Sequence, residues 1–227
     1  MGRIKEMNFK LRKKRAAAAA KAAGVDGLLV THLPDVRYLC GFTGSNAALV
    51  LAGGRAVLFT DGRYTAQAKA EAVGTRVVIA QKPALLAACG WMEEAGVRRC
   101  GFDAMQTTVA ALETMRQAVS VKVRRRMFVA VKPLVARMRE VKDAEEIVRI
   151  RAAAALGCKL FDGMLAYLEA GLPEVAVAAE LEHAARLAGA GGMSFDTIVA
   201  SGVRSALPHG RATTAKLPRR GFVTLDF

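Results

Sequence analysis

The sequence predicts an α/β domain built on a mixed β-sheet, followed by a second part with two long helices and two strands. In the first 130 or so residues, helical and strand patterns alternate at the spacing typical of α/β proteins. Ala52-Gly53-Gly54-Arg55 joins two apolar runs with the residues of a β-hairpin turn, so part of the sheet is antiparallel. Beyond about residue 142 the strands give way to long helical patterns. The chain of 227 residues is 53% hydrophobic, which is ample for such cores.

Each element of the first part has its own local signal. Gly24 ends a basic first helix, Pro83 suits a first helical turn, and Thr107 or Thr108 can cap a later helix. The predicted elements are a helix from Met7 to Ala23, a strand at 27–31, a hairpin of strands 47–51 and 56–60, a helix at 64–72, a strand at 76–79, a helix at 83–95, a strand at 100–103, a helix ending at Ala118 and a strand from Ser120 to Arg124.

The second part begins with a strong helix signal. Asp143 is a good N-cap with Glu146 at the capping-box position, and apolar residues then recur at helical spacing as far as Leu168. Pro173 opens a second helix, and two strands follow, Phe195–Ala200 and Phe222–Phe227. The predicted domain boundaries are therefore 1–132 for the first domain, 133–142 for a linker and 143–227 for the second domain.

Composition limits the classes of protein. The net charge is +14, and basic patches occur at Lys10–Arg15 and Arg124–Arg126, as in proteins that bind nucleic acid. However, the aromatic content is 6% and no nucleic-acid-binding motif is present, so this class of protein is disfavoured. No apolar stretch reaches the roughly 20 residues of a membrane span. The four cysteines lack metal-site spacing and no secretory signal is recognisable, so we expect reduced thiols in a cytoplasmic protein.

Two glycine-punctuated segments of the first part could carry function. Residues 38–46 combine glycines with hydroxyls that could bind an anion or line a cleft, although a tight turn between a helix and a strand explains them as well. Asp61-Gly62-Arg63-Tyr64 is equally open, because Asp61 can cap the next helix and Arg63 can meet either a substrate carboxylate or solvent.

Two further candidates lie near the end of the sequence. His209, between Pro208 and Gly210 in a polar loop, is displayed for chemistry or simply solvated. Asp226 interrupts an apolar strand, where a carboxylate is costly to bury unless it is paired or binds a metal. Simple alternation favours the other interpretation, in which Asp226 points outward.

These segments together resemble the creatinase/prolidase/Xaa-Pro aminopeptidase family of metallopeptidases, almost from end to end. The segments that carry the resemblance are Asp35–Leu39, Gly41–Ser45, Thr60–Tyr64, Arg139–Arg149, Phe195–Gly202, Leu207–Gly210 and Gly221–Phe227. The resemblance implies an α/β N-terminal creatinase-like domain with a mixed sheet, followed by the first part of an α+β pita-bread catalytic domain.

The resemblance also implies a chemistry. His209 matches the histidine that contacts the substrate near the scissile bond, and Asp226 matches the first metal-ligand aspartate. Two divalent ions, manganese or cobalt or else zinc, would share a bridging hydroxide that attacks the peptide bond before proline. The partners implied are proline-containing peptides and a second copy in a homodimer, with no nucleic acid and no membrane. The substrate-binding residues stay unknown.

The family's second aspartate, its metal-binding histidine and its two glutamates all come later than the strand of Asp226. We therefore expect this chain to be a C-terminally truncated fragment that lacks most metal ligands and is inactive alone. The leading hypothesis for the parent protein is a Xaa-Pro aminopeptidase. The alternatives are a prolidase, which is a Xaa-Pro dipeptidase, and a metal-free protein that binds peptides or nucleic acid on the same scaffold.

Overall fold

The computed structural model describes residues 8–227. The chain divides into two compact units, Met1–Lys142 and Asp143–Phe227. The predicted start of the first helix at Met7 lies outside the described residues. Helix α1 runs over Phe9–Ala22, and the Asn8 side chain accepts a hydrogen bond of 2.9 Å from the Leu11 N–H, which satisfies one of the unpaired amides of the first turn.

The first unit alternates helices and strands, as the sequence predicts, although helix α2 (Leu33–Cys40) was not among the predicted helices. Its elements in chain order are α1 (Phe9–Ala22), β1 (Gly27–Val30), α2 (Leu33–Cys40), β2 (Ala48–Ala52), β3 (Arg55–Thr60), a 3-10 helix (Gly62–Tyr64), α3 (Thr65–Glu71), β4 (Arg76–Ile79), α4 (Ala84–Glu94), β5 (Cys100–Asp103), α5 (Val109–Gln117), α6 (Val121–Met127), β6 (Phe128–Val131) and α7 (Leu134–Glu140).

The six strands form one mixed sheet in the order β4-β3-β2-β1-β5-β6. The β1–β2 and β2–β3 pairs are antiparallel, and the β3–β4, β1–β5 and β5–β6 pairs are parallel. The hairpin turn has Gly53 and Gly54 at φ values of 55° and 73°, which favour glycine at both positions. The predicted mixed sheet and its hairpin are therefore confirmed.

Both faces of this sheet are buried. In β2, Ala48 and Val50 belong to a core shared with α4, α5 and α6, whereas Leu49 and Leu51 belong to a second core shared with α1, α2, α3 and α7. A strand that is covered on both sides needs apolar residues at every position, which explains the unbroken apolar sequence of β2. The first unit is thus a three-layer arrangement of helices, sheet and helices.

The predicted strand from Ser120 to Arg124 is wrong. These residues open helix α6, and the strand of this region is β6, which pairs with β5. A helix suits this segment because Val123 and Met127 stand one turn apart and both pack into the first core. Met127 is completely buried there.

Residues 133–142, predicted as a linker, include helix α7. Val135 is 4% exposed, and it packs in the core beneath α1 and α2. Arg139 of the same helix donates a 2.8 Å hydrogen bond to Asp35, whose side chain is 3% exposed. This helix is therefore packed as part of the first unit, and the two units meet in the sequence between Lys142 and Asp143.

The second unit contains two helices and a two-stranded antiparallel sheet. Its elements are α8 (Ala144–Tyr167), α9 (Glu174–Leu187), β7 (Ile198–Ser201), a 3-10 helix (Gly202–Ala206) and β8 (Val223–Asp226). The capping box predicted at Asp143 and Glu146 is present, since each side chain accepts a hydrogen bond from the other residue's backbone N–H. The two strands are shorter than predicted but lie within a few residues of the expected positions.

The core of the second unit gathers Met164, Val177, Leu181, Val199 and Leu217. Of the apolar residues that make α8 amphipathic, only Met164 is buried, and several others are strongly exposed. These exposed residues are Ile147, Ile150, Phe161 and Leu165. The sequence pattern thus located the helix correctly without showing how much of its apolar face the unit covers.

Within residues 8–227, no helix combines the length and the apolar character that crossing a bilayer requires.

Candidate functional site

Asp226 lies at the end of β8 on the face of the strand pair that points away from α8 and α9. Val223, Leu225 and Phe227 pack toward the core of the second unit, whereas Asp226 is exposed. The outward orientation is the one that alternation predicts. Asp226 is directly opposite Ile198 in the antiparallel register, so these two side chains share a face.

The loop that carries His209 packs on the same face. Thr224 stands two residues before Asp226, and its hydroxyl donates a 3.2 Å hydrogen bond to the backbone oxygen of Ser205 in the 3-10 helix after β7. Because residues two apart on a strand point to the same side, this bond brings the loop onto the side of Asp226. His209 itself is exposed at the end of the loop.

Gly210 provides a second attachment of this loop. It is buried, and a Cβ added to it would lie 2.8 Å from the Cβ of Ala200. Ala200 is opposite Thr224 in the register, and therefore also faces the side of Asp226. The close approach leaves no space for a side chain at residue 210. The residue after His209 is consequently pressed against the strand, while His209 stays open to solvent.

A buried carboxylate that sequence analysis missed holds the loop at both ends. Glu174, in the first turn of α9, is completely buried. It accepts hydrogen bonds from the backbone N–H and the hydroxyl of Ser201 at 2.8 and 3.0 Å, and from the corresponding groups of Thr213 at 3.1 and 2.8 Å. Arg204 adds an ion pair at 3.2 Å. Ser201 precedes the His209 loop and Thr213 follows it, so one carboxylate holds both ends of the loop.

The environment of Glu174 favours its ionised form. Burial acts to raise the pKa of this carboxyl, but the hydrogen bonds from Thr213 and Ser201 outweigh burial and hold the pKa below its ordinary value. The sequence offered little sign of this role, because a glutamate just after Pro173 is typical of any helix N-terminus. Only the contacts that Glu174 makes in the folded chain distinguish it from an ordinary glutamate at a helix N-terminus.

The loop ends with an exposed ion pair. Arg211 lies beside Ile198 in an isolated antiparallel bridge, on the opposite side of β7 from β8. Its guanidinium is 3.0 Å from the Asp196 carboxylate. The Arg204 guanidinium also donates a 2.8 Å hydrogen bond to the backbone oxygen of Arg211. Ile198 therefore pairs with a charged residue on each side, Asp226 in β8 and Arg211 at the end of the loop.

The described residues do not form a complete metal centre. Among residues 8–227, no group of three or more His, Cys, Asp or Glu side chains is arranged to hold a metal ion. Asp226 is an available carboxylate, but Asp196, which lies two residues before β7, is paired with Arg211. The donor set near Asp226 therefore does not fit a pair of divalent ions.

The two glycine-punctuated segments of the first unit meet each other. The hydroxyls of Ser45 and Tyr64 are 2.6 Å apart, and the Asn46 amide donates to Asp61 at 2.6 Å. Arg63 makes a two-pronged contact to the same carboxylate, at 2.9 Å from both Nε and Nη2. Hydrogen bonds from Arg63, and then from Asn46, hold the pKa of Asp61 below its ordinary value. Asp61 also caps the following 3-10 helix, as predicted.

Both parts of the chain match known protein families. Residues 12–141 match the creatinase/prolidase N-terminal domain, and residues 148–227 match metallopeptidase family M24.

The chain belongs to the creatinase/prolidase family, and its second unit matches metallopeptidase family M24.

The predicted fold class is thereby confirmed as a creatinase-type N-terminal domain followed by the start of an M24 catalytic domain. Use of divalent metal is a property of this metallopeptidase family.

Relatives of this M24 chain are peptidases. An uncharacterized peptidase of Bacillus subtilis, YqhT, is 37% identical over 204 residues, which is 90% of this chain and 57% of the relative. The solved structure of a Xaa-Pro dipeptidase from Bacillus anthracis superimposes with a TM-score of 0.89 at 33% identity, covering 96% of this chain and 60% of that one. An X-Pro aminopeptidase from Thermotoga maritima gives a TM-score of 0.81 at 30% identity, covering 92% and 60%. The M24 chain thus spans little more than half the length of these relatives.

Proposed function

We propose that this M24 chain is part of a Xaa-Pro aminopeptidase-like metallopeptidase, which releases the N-terminal residue from peptides that have proline second. The observation that carries the proposal is the shared face of Asp226 and the loop of His209. The loop reaches that face through the bond from Thr224 to Ser205 and the contact of Gly210 with Ala200. A strand-borne carboxylate that shares a face with the loop of a displayed histidine matches the two roles that the resemblance assigns.

In this proposal, His209 contacts the substrate near the scissile bond, and Asp226 is a metal ligand. Glu174 is a positioning residue, because it touches neither reacting group but anchors both ends of the His209 loop. Manganese or cobalt, or else zinc, would be the metals of the parent enzyme. Since the described donors do not fit a metal pair, we assign no reaction step to a metal here.

We further propose that the 227-residue chain has no appreciable peptidase activity by itself. The support is the donor set, because the described residues contain no group of three or more His, Cys, Asp or Glu side chains placed to hold a metal ion. A mononuclear or vacant site lacks the paired charge that lowers the pKa of a bridging water and stabilises the oxyanion. The test is a sensitive assay of a proline-second tripeptide with added manganese. Turnover by the purified chain above that of its His209→Ala variant would contradict the proposal.

The assigned roles can be tested in a chimera that fuses this chain to the part of the Bacillus subtilis peptidase that it does not match. We expect the chimera to cleave a proline-second tripeptide. His209→Ala should lower kcat/KM by about 100-fold, the order of one lost oxyanion donor. Asp226→Asn should lower metal affinity by more than about tenfold. The matched control is Asp196→Asn, an exposed acid of the same region, which should change neither quantity more than about twofold.

The same chimera addresses the alternative, a prolidase. The close superposition on a Xaa-Pro dipeptidase favours this candidate, whereas the superposition on an X-Pro aminopeptidase favours the first. Turnover of an Ala-Pro dipeptide without turnover of longer peptides would show that the chimera is a prolidase. If a folded, metal-loaded chimera cleaved neither substrate, or if His209→Ala left kcat/KM unchanged, the role proposed for this loop would be wrong.

Proline-containing peptides are the substrates in either proposal, and homodimerisation and a cytoplasmic location remain predictions. All four cysteines are free thiols, three of them buried, as we expect for a protein kept in a reducing compartment. Sedimentation of the purified chain would measure its oligomeric state, and fractionation of cells would measure its location.

A further inference from the structure

A groove of about 690 Å³ crosses the surface of the first unit, which contains none of the residues assigned to peptide hydrolysis. It is lined by α1, the segment that follows α1 and the turn of the β2–β3 hairpin. Its volume falls within the 300–1,000 Å³ range of sites for small ligands. The cationic side chains that line it are Lys10, Lys13, Lys14, Lys21 and Arg55.

The basic side chains of Lys10–Arg15 on helix α1 differ in orientation and in contacts. Arg12 turns inward and stacks on the Tyr38 ring at 4.1 Å from its centroid. Lys13 is occupied by the chain itself, since its ammonium donates to the backbone oxygens of Val73 and Gly74. Lys10 and Lys14 are exposed and line the groove. The patch is therefore not a uniform basic surface.

The remaining lysines of the groove form no ion pair with any described residue. Within residues 8–227, no hydrogen bond or ion pair engages the ammonium groups of Lys10, Lys14 and Lys21. The acidic residue of the lining, Asp26, is already engaged, because its carboxylate accepts from the backbone N–H groups of Arg98 and Arg99 at 3.2 and 2.8 Å. The positive charge of the groove is thus available to an anion.

The floor of the groove is apolar and open. Ala17, Ala20, Val25, Leu51, Ala52 and Ala56 contribute small or aliphatic side chains to it. At the hairpin turn, a Cβ added to Gly54 would meet no atom within 4 Å. A ligand that was only an anion would leave the apolar floor exposed to water. The groove therefore favours a ligand that has both an anionic group and an apolar body.

We infer that this groove binds a small organic polyphosphate with an aromatic or apolar body, of the nucleoside polyphosphate class. Lysine binds phosphate as a point charge, and several lysines in line suit several phosphates. On a helix that rises 1.5 Å per residue, Lys10 and Lys14 are about 6 Å apart along the axis and Lys14 and Lys21 about 10 Å. This spread exceeds one phosphate and matches a ligand of nucleotide length.

Trp91 provides a built-in reporter of binding. It is the one tryptophan of the chain, and the Arg55 guanidinium lies 5.1 Å from the centroid of its ring. Arg55 also lines the groove, so a phosphate that attracts its guanidinium alters the surroundings of the indole. Binding can therefore be followed by tryptophan fluorescence without a label.

The experiment titrates the 227-residue chain with magnesium-free ATP, inorganic triphosphate and a single-stranded 12-nucleotide DNA while Trp91 fluorescence is recorded. We expect saturable binding of ATP with a Kd below about 1 mM, and weaker binding of triphosphate. Lys14→Gln and Lys21→Gln should each raise the Kd for ATP about tenfold, the effect of one lost charge-assisted hydrogen bond. Lys69→Gln, an exposed lysine outside the groove, is the matched control and should leave the Kd unchanged.

The contribution of the apolar floor of the groove is tested with a separate variant. Ala17→Leu fills the groove from an exposed helix position without changing charge, and should weaken ATP binding more than triphosphate binding. Equal affinity for ATP and triphosphate, unaffected by Ala17→Leu, would overturn the assignment to a ligand with an apolar body. Preference for the DNA at equal phosphate concentration would replace it by nucleic-acid binding. No saturable signal in fluorescence or calorimetry would overturn it altogether.

Discussion

The buried carboxylate of Glu174 accepts hydrogen bonds from both the backbone N–H and the hydroxyl of Ser201, at 2.8 and 3.0 Å. This contact fastens the first turn of α9 to the end of β7, where the chain leaves the strand for the His209 loop. The same carboxylate holds Thr213, at which the chain returns. A single side chain thus fixes the two ends of the loop that carries the candidate catalytic histidine.

Replacing Glu174 with glutamine should destabilise the second unit by about 2–3 kcal/mol, because an amide cannot accept every bond that the carboxylate accepts. The measurement is native-state hydrogen exchange at the Ser201 and Thr213 amides, which report the opening of this unit. Glu182→Gln, an exposed acid on the same helix, is the control and should change protection by less than about 0.5 kcal/mol. Equal protection in the two variants would show that the network contributes nothing to stability.

The pKa of Glu174 predicts a pH dependence with a definite sign. The pKa is lower in the folded chain than the ordinary value of 4.5, so the unfolded state binds the proton more readily. The stabilisation is therefore complete above the unfolded pKa and is lost as pH falls below that value and through the folded pKa. Exchange free energies at Ser201, measured as pH falls through these two pKa values, should fall more steeply in the wild-type chain than in Glu174→Gln. Parallel profiles would contradict the predicted protonation of Glu174.

Gly210→Ala should strain the His209 loop. The added Cβ would lie 2.8 Å from that of Ala200, and we expect a cost of about 1–3 kcal/mol in the protection of β7 amides. Gly192→Ala is the control, because a Cβ there would meet no atom within 4 Å. Combining Gly210→Ala with Ala200→Gly should recover at least about 1 kcal/mol if contact between these two carbons is the cause. Additive losses in the double variant would place the cause elsewhere.

Arg139→Gln should destabilise the first unit by about 2–4 kcal/mol, because it leaves the buried Asp35 carboxylate without its 2.8 Å partner. Urea unfolding followed by Trp91 fluorescence measures this loss, since that tryptophan packs against the first core. Arg137→Gln, an exposed arginine of the same helix, is the control. If both variants unfolded at the wild-type urea concentration, α7 would behave as a linker rather than as part of the first unit.

Local signals in the sequence were sufficient where an element depends on its own residues. The hairpin at Gly53-Gly54 and the capping box of Asp143 formed as predicted, because a turn with positive φ values and a helix start each involve only a few neighbouring residues. The segment Ser120–Arg124 failed this test. The segment is too short for its sequence to distinguish a strand from a helix, and packing of Val123 and Met127 decided the outcome.

The candidate site divides in the same way. His209 and Asp226 could be singled out from the sequence, since a displayed histidine and an acid in an apolar strand are unusual in themselves. Glu174 could not, because its partners Ser201, Arg204 and Thr213 are 27 to 39 residues away along the chain. Nor could the sequence divide the basic residues of α1 between the interior, the chain's own carbonyls and the open groove.

The sequence by itself therefore determined the family, the mixed sheet with its hairpin and the two helices of the second unit, because these depend on short patterns of neighbouring residues. It also predicted His209 and Asp226 as site residues. The tertiary structure alone decided which carboxylate anchors the His209 loop and which lysines remain free for a ligand. Burial and hydrogen bonding depend on segments that are distant along the chain and adjacent only after folding.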